Sequence, residues 1–164
     1  MTLSSPRNSS HDKWNTLKAA LAAGIPALAA NTLMLEAGRR LGVETGRGGL
    51  LQWLHAMSGS QASEWSGTAA LAFHLAVGLL MAMLYAFAVE PVLRRRTRAV
   101  QGLLYAAATW LINAAVVLPG LGEGFAGYRH IDVLGMAYFA CAHILFFAML
   151  VLLYRRPAPA RGKE

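Results

Sequence analysis

The sequence predicts an all-α membrane protein in which one bundle of four helices spans the bilayer. Its 164 residues are 56% hydrophobic and only 14% charged, which is too apolar for an ordinary soluble domain. The apolar residues form four runs long enough to cross the hydrocarbon core, and clusters of Lys and Arg flank these runs. Because of that placement, the formal net charge of +7 indicates membrane topology and not a nucleic-acid partner.

The first apolar run follows a polar N-terminal segment. Residues 1–16 predict a tail, and the first spanning helix is expected over about 17–37. Pro26 is tolerated inside it where neighbouring helices or water satisfy the freed carbonyl. The small residues Ala27-Leu28-Ala29 resemble the cleavage site of a secretory signal, but apolar character resumes at Leu33, where a mature N terminus is normally polar. A retained helix is therefore favoured, and cleavage stays the alternative.

A long connection, residues 38–66, separates the first two spanning helices. Apolar residues recur in it at helical spacing and predict a short amphipathic helix over about 49–58: Leu50, Leu51, Trp53, Leu54 and Met57. A helix of this kind either lies in the membrane interface or packs as an ordinary loop helix, and the sequence leaves both open.

Three further spanning helices are expected over about 67–90, 99–118 and 133–154. The second and third end at Pro91 and Pro119, and the fourth ends at Arg155, because proline and charge both stop a spanning run. Residues 155–164 predict a second tail, so that residues 17–154 form a single transmembrane domain. The glycine-rich connection after the third helix has a G-x-G spacing, but no strand precedes it, and we discount nucleotide binding.

The distribution of positive charge orients the bundle. Eleven of the fifteen Lys and Arg residues lie in residues 1–18, in the connection between the second and third helices and in the C-terminal tail. Segments rich in Lys and Arg stay in the cytoplasm. The sequence therefore predicts cytoplasmic termini, with the two longer connections on the outer side.

The two halves of the chain share a pattern. Each half contains an apolar run from a histidine to a tyrosine eleven residues further on, on nearly the same helical face: His74 to Tyr85 and His143 to Tyr154. Asn31 and Asn113 each follow a stripe of small residues in the first and third helices, and such stripes let helix backbones approach closely in lipid. A duplicated helix pair keeps its orientation, so we predict a tandem repeat with a pseudo-twofold axis along the membrane normal.

One polar residue in each spanning helix falls at a similar depth in the outer half of the bilayer, at a rise of about 1.5 Å per residue. This predicted polar layer consists of Asn31, His74, Asn113 and His143. A polar side chain is costly when it faces lipid, so each should face another helix. We expect these side chains to hydrogen-bond across helices and to hold the bundle together.

Two other uses of the histidines stay open. His74 and His143 would suit the two ligands of a haem b in the core of a four-helix bundle. With Tyr85 and Tyr154, the same histidines would also suit a proton or small-solute path. No catalytic residue and no metal site is predicted, because the sequence has no Ser-His-Asp set and no HExxH, and Cys141 is its one cysteine.

Three helix patterns together resemble the YagU-like family of small bacterial inner-membrane proteins: Phe73-His74-x3-Gly78-x6-Tyr85, Gly102-x7-Trp110-x7-Leu118-Pro119 and Ala142-His143-x10-Tyr154. The likeness covers most of the chain outside the tails, and Phe147 stands where a glycine is expected. The resemblance implies a four-helix protein of the bacterial inner membrane, and it supplies no catalytic residue and no cofactor.

We therefore predict a non-enzymatic integral protein of the inner membrane, a structural or accessory subunit whose surroundings are the lipid bilayer. The alternative is a haem-binding protein or a small transporter that uses His74 and His143. The sequence does not choose between a homo-oligomer and a complex with another membrane protein.

Overall fold

The computed structural model describes residues 6–45, 49–58 and 67–157. Regular structure within those residues is helical throughout, and the main helices are α1 (Pro6–Arg40), α2 (Gly49–Ser58), α3 (Gly67–Leu93), α4 (Arg98–Gly120) and α5 (Val133–Leu153). All except α2 are long and apolar enough to cross a membrane, which confirms the predicted class of an all-α protein with four spans. Parts of the predicted tails and of the first connection lie outside the described residues: 1–5, 46–48, 59–66 and 158–164.

The first helix begins earlier than predicted. α1 starts at Pro6, whereas the sequence predicted a tail as far as residue 16. Proline suits the first turn of a helix, because its missing N–H has no helical partner there. The 35 residues of α1 extend about 50 Å, against about 30 Å for a hydrocarbon core, so its polar first turns project beyond the apolar span.

Helices α3 and α4 each widen into a π-helical turn just before a proline. The turns cover Tyr85–Val89 and Asn113–Val117, and Pro91 and Pro119 follow them at the same distance along the chain. A proline removes one backbone hydrogen bond, and its ring crowds the carbonyl four residues earlier. A wider turn relieves this crowding. Both helices therefore continue past the proline at which the sequence predicted them to end.

The spanning helices pack through small residues. α1 lies between α3 and α5, and α4 packs along another side of α5. A Cβ added to Gly24 would lie 2.6 Å from the Cβ of Ala82, and one added to Gly78 would meet the side chain of Leu28. Gly102 of α4 likewise faces the backbone of α5. Close approach of this kind supplies the van der Waals contact that drives helix association in lipid.

The packing does not show the predicted pseudo-twofold axis. Such an axis would make the contact between α1 and α5 equivalent to a contact between α4 and α3. α1 runs closely along α5, whereas α4 reaches α3 through long side chains such as Tyr105, whose hydroxyl donates to Met81 O. The π turns also fall in α3 and α4, two helices that the repeat does not relate. The tandem repeat stays a prediction from the sequence pattern.

The bundle has two different ends. The terminal end contains the first turns of α1, the connection between α3 and α4, and residues 154–157 after α5. The loop end contains α2 and the connections that follow α1 and α4. The two ends carry different side chains.

The amphipathic helix α2 packs on the loop end of α4. A Cβ added to Gly49 would lie 3.1 Å from Leu118, and one added to Gly120 would meet the ring of Trp53. Met57, on the outer edge of α2, is exposed. α2 is therefore held against the bundle on one side and presents an apolar edge on the other.

Asp132 caps the N terminus of α5. Its carboxylate accepts a hydrogen bond of 2.6 Å from the Gly135 N–H, one of the donors that a helix leaves without an internal partner. We expect Asp132→Ala to lower the free energy of unfolding by about 1 kcal/mol, measured by denaturant titration in detergent micelles. Asp132→Asn retains an acceptor and serves as the control. An equal loss in both variants would contradict a capping role.

Candidate functional site

Asn31 joins α1 to α5 inside the bundle. The residue is 7% exposed, and its Nδ2 donates a hydrogen bond of 2.8 Å to the backbone carbonyl of Ala142. That carbonyl directly precedes His143, so two members of the predicted polar layer lie at one level of the α1–α5 contact. A buried amide bonded in this way ties two helices together in an apolar environment.

The His143 ring is held by its own helix. Its Nδ1 lies 2.9 Å from Phe139 O, and because a carbonyl only accepts, this nitrogen carries the hydrogen. In the neutral ring the lone pair is then on Nε2. The ring also packs edge-on against Phe139, with 4.5 Å between the ring centroids. The orientation of the imidazole is therefore fixed from within α5.

His74 lies on the face of α3 that packs on α1. Gly78 and Ala82, one and two turns further along that face, contact Leu28 and Gly24 of α1. Continuing this antiparallel register by four residues places His74 opposite Thr32. The Thr32 hydroxyl is buried and has no hydrogen-bond partner among the described residues. His74 thus belongs to the α1–α3 contact, at about the level of Asn31.

Asn113 lies closer to the loop end than the other three residues. Gly102 faces Ala148 across the α4–α5 contact, and the same antiparallel register places the level of Ala142 near residue 108 of α4. Asn113 is five residues beyond that point, or about 7 Å at a rise of about 1.5 Å per residue. It is half-buried and begins the π turn of α4. By this register Asn113 lies nearer the loop end than Asn31, and the four-residue polar layer stays a prediction.

The two predicted tyrosines meet at the terminal end. The rings of Tyr85 and Tyr154 pack edge to face, with 5.4 Å between their centroids, and Tyr105 stacks on Tyr85 at 6.0 Å. The Tyr85 hydroxyl donates a hydrogen bond of 2.6 Å to Gln101 Oε1, and Gln101 Nε2 donates to Arg96 O. This tyrosine cluster connects α3, α4 and the end of α5.

Sequence reasoning missed several of these polar side chains. Gln101 is 6% exposed although it lies near the start of an apolar run, and a lone amide in such a run was the available signal. The hydroxyls of Tyr105 and Tyr138 donate to Met81 O and Met34 O on neighbouring helices. Nothing in the sequence pattern distinguishes these tyrosines from tyrosines at the membrane interface.

Clefts open at both ends of the bundle. The cleft at the loop end has a volume of about 530 Å³, and its lining includes Glu123 and His130, whose Nδ1 lies 2.6 Å from a Glu123 carboxylate oxygen. The cleft at the terminal end has a volume of about 690 Å³ and lies beside the π turn of α3. Across the described ranges, no three His, Cys, Asp or Glu residues come together as a candidate metal site.

No protein-family model, no curated protein and no solved structure matches this chain. The resemblance to the YagU-like family therefore stays a prediction from the helix patterns. The contacts inside the bundle are then the guide to its function.

Proposed function

We propose that this chain is a non-enzymatic integral protein of the bacterial inner membrane, a structural or accessory subunit whose polar side chains hold its helices together. The observation that carries the proposal is the buried hydrogen bond from Asn31 to the carbonyl of Ala142. Its partners would be the lipid bilayer and either a second copy or another membrane protein. The resemblance to YagU-like proteins is consistent with this role.

Other hydrogen bonds between the helices also join a side-chain donor on one helix to a backbone carbonyl of another. Tyr105 and Tyr138 donate to backbone carbonyls of the neighbouring helix, and Arg98 donates to the carbonyls of Leu152 and Tyr154 at the end of α5. Backbone carbonyls are acceptors that every helix provides, so these bonds fix the arrangement of helices without requiring a reactive partner. Such contacts between membrane helices contribute about 0.6 to 2 kcal/mol each.

The proposed orientation has both termini in the cytoplasm, which the excess of Lys and Arg at the terminal end supports. In bacterial cells, we expect green fluorescent protein fused after Glu164 to fluoresce. Alkaline phosphatase inserted after Gly122, in the loop-end connection, should be active, because the periplasm allows its disulfides to form. A dark first fusion together with an inactive second one would contradict the orientation.

One observation supports the alternative of haem binding. The bond from His143 Nδ1 to Phe139 O leaves the lone pair of the neutral ring on Nε2, as in many histidines that bind a metal. His74 would have to supply the second ligand from α3.

A visible absorption spectrum distinguishes the structural role from haem binding. We expect protein purified in mild detergent, from cells supplied with a haem precursor, to be folded and colourless before and after dithionite. His74→Ala and His143→Ala should then change its stability alone. A Soret band with sharp reduced bands, lost in both variants, would instead assign the histidines to a haem b.

A further inference from the structure

The cleft at the terminal end is built from three separate parts of the chain. Helix α1 contributes Asp12, Lys13 and Thr16, the π turn of α3 and the residues after it contribute the opposite wall, and the segment after α5 contributes Tyr154 and Arg156. The charged side chains of its lining are two acidic and two basic residues: Asp12, Glu90, Lys13 and Arg156. A site with both signs of charge suits a ligand that carries both signs.

Among these charged side chains, Glu90 is largely buried. Its side chain is 13% exposed, and its ion pair is to Arg156 at 3.5 Å, a side chain that is itself 58% exposed. At that separation the contact is electrostatic and not a good hydrogen bond. Within the described ranges no side chain or backbone N–H donates to the Glu90 carboxylate. A largely buried carboxylate that opens on a cleft can therefore accept hydrogen bonds from a ligand cation.

The cleft lies where lipid headgroups lie. The apolar span of α5 ends at Leu153, directly before Arg155 and Arg156, and α3 is followed by the basic turn at residues 94–96. Basic residues that flank apolar spans mark the headgroup level. Phe87, which also lines the cleft, is 47% exposed, so an apolar surface continues from the charged site toward the acyl chains.

We propose that the terminal-end cleft binds the headgroup of a phosphatidylethanolamine. The primary ammonium of the lipid donates to the Glu90 carboxylate, and its phosphate lies against Lys13 and Arg156. Phosphatidylcholine has the same charges but its trimethylated nitrogen has no N–H to donate, so the cleft should distinguish the two lipids. This site depends on the chain crossing a membrane, and it is independent of the role proposed for Asn31 and the histidines.

Native mass spectrometry of the full chain tests the proposal. The protein is purified with equal amounts of phosphatidylethanolamine and phosphatidylcholine that have the same acyl chains, and the retained lipids are counted. We expect about tenfold more retained phosphatidylethanolamine, the scale of one charge-assisted hydrogen bond. Glu90→Gln should bring the ratio close to one, whereas Glu123→Gln, a matched carboxylate at the loop end, should leave it unchanged.

A second variant keeps the test decisive if Glu90→Gln fails to fold. Lys13→Gln removes a phosphate contact that both lipids share, so it should reduce retention of each without changing their ratio. Equal retention of the two lipids by the natural chain, or an unchanged ratio in folded Glu90→Gln, would overturn the proposal.

Two other occupants of the cleft would each give a different experimental result, and either result would also overturn the proposal. A lipid preference that appears only after removal of residues 158–164 would mean that the C-terminal segment of the chain fills the cleft. Release of the bound lipid by millimolar glycerophosphoethanolamine, as effectively as by phosphatidylethanolamine, would mean that the ligand is soluble in water.

Discussion

Replacement of Gly102 with leucine is expected to lower the free energy of unfolding by about 3 kcal/mol, the largest stability effect among the substitutions considered. A Cβ at this position would lie 3.3 Å from Ala148 Cα and 3.4 Å from Phe147 O. These are backbone atoms of α5, and they cannot move aside as the end of a flexible side chain can. A leucine would therefore force α4 away from α5 and open the contact that also seats Tyr105 against Phe147.

Unfolding in mixed micelles, followed by circular dichroism, measures this effect. Gly102→Ala should show a smaller loss, because a single methyl group requires a shift of only a few tenths of an ångström. Gly67→Leu is the matched control, since a Cβ on Gly67 would meet no described residue within 4 Å, and a surface change of this kind is expected to alter stability by less than about 0.5 kcal/mol. Similar losses in Gly102→Leu and Gly67→Leu would contradict close packing of α4 on α5.

The four spans could be predicted because length and hydropathy alone decide them. An apolar run of about 20 residues has few alternatives in a chain this poor in charge. The same reasoning predicted that Asn31 and His143 face inward, since a polar side chain in such a run is costly when it faces lipid. Tyr85 and Tyr154 could be placed on matching faces by counting helical turns, and they meet in the structure.

What could not be predicted depends on contacts between helices. The level of Asn113 depends on how far α4 slides along α5, which is set by Gly102 and its neighbours and not by the periodicity of α4. The sequence predicts helix ends at the prolines, because a π turn before a proline leaves no separate signal in the sequence. The role of Gln101 is not evident from the sequence, because its partner, Tyr85, comes from another helix.

Asn31→Leu is the second substitution with a large expected effect, and it concerns the central claim that a buried polar side chain ties α1 to α5. Leucine has a similar size but cannot donate to Ala142 O. We expect a loss of about 1 to 2 kcal/mol in the free energy of unfolding, the range of a hydrogen bond between membrane helices. Asn113→Leu is the matched control, because Asn113 is half-buried and its side chain makes no hydrogen bond to the described residues.

The most direct test is therefore the difference in unfolding free energy between Asn31→Leu and Asn113→Leu in the same bilayer or micelle. The proposed role of Asn31 predicts that Asn31→Leu is less stable than the natural chain by about 1 to 2 kcal/mol, and that Asn113→Leu differs from it by less than about 0.5 kcal/mol. An Asn31→Leu variant as stable as the natural chain, or equal losses in the two variants, would contradict it.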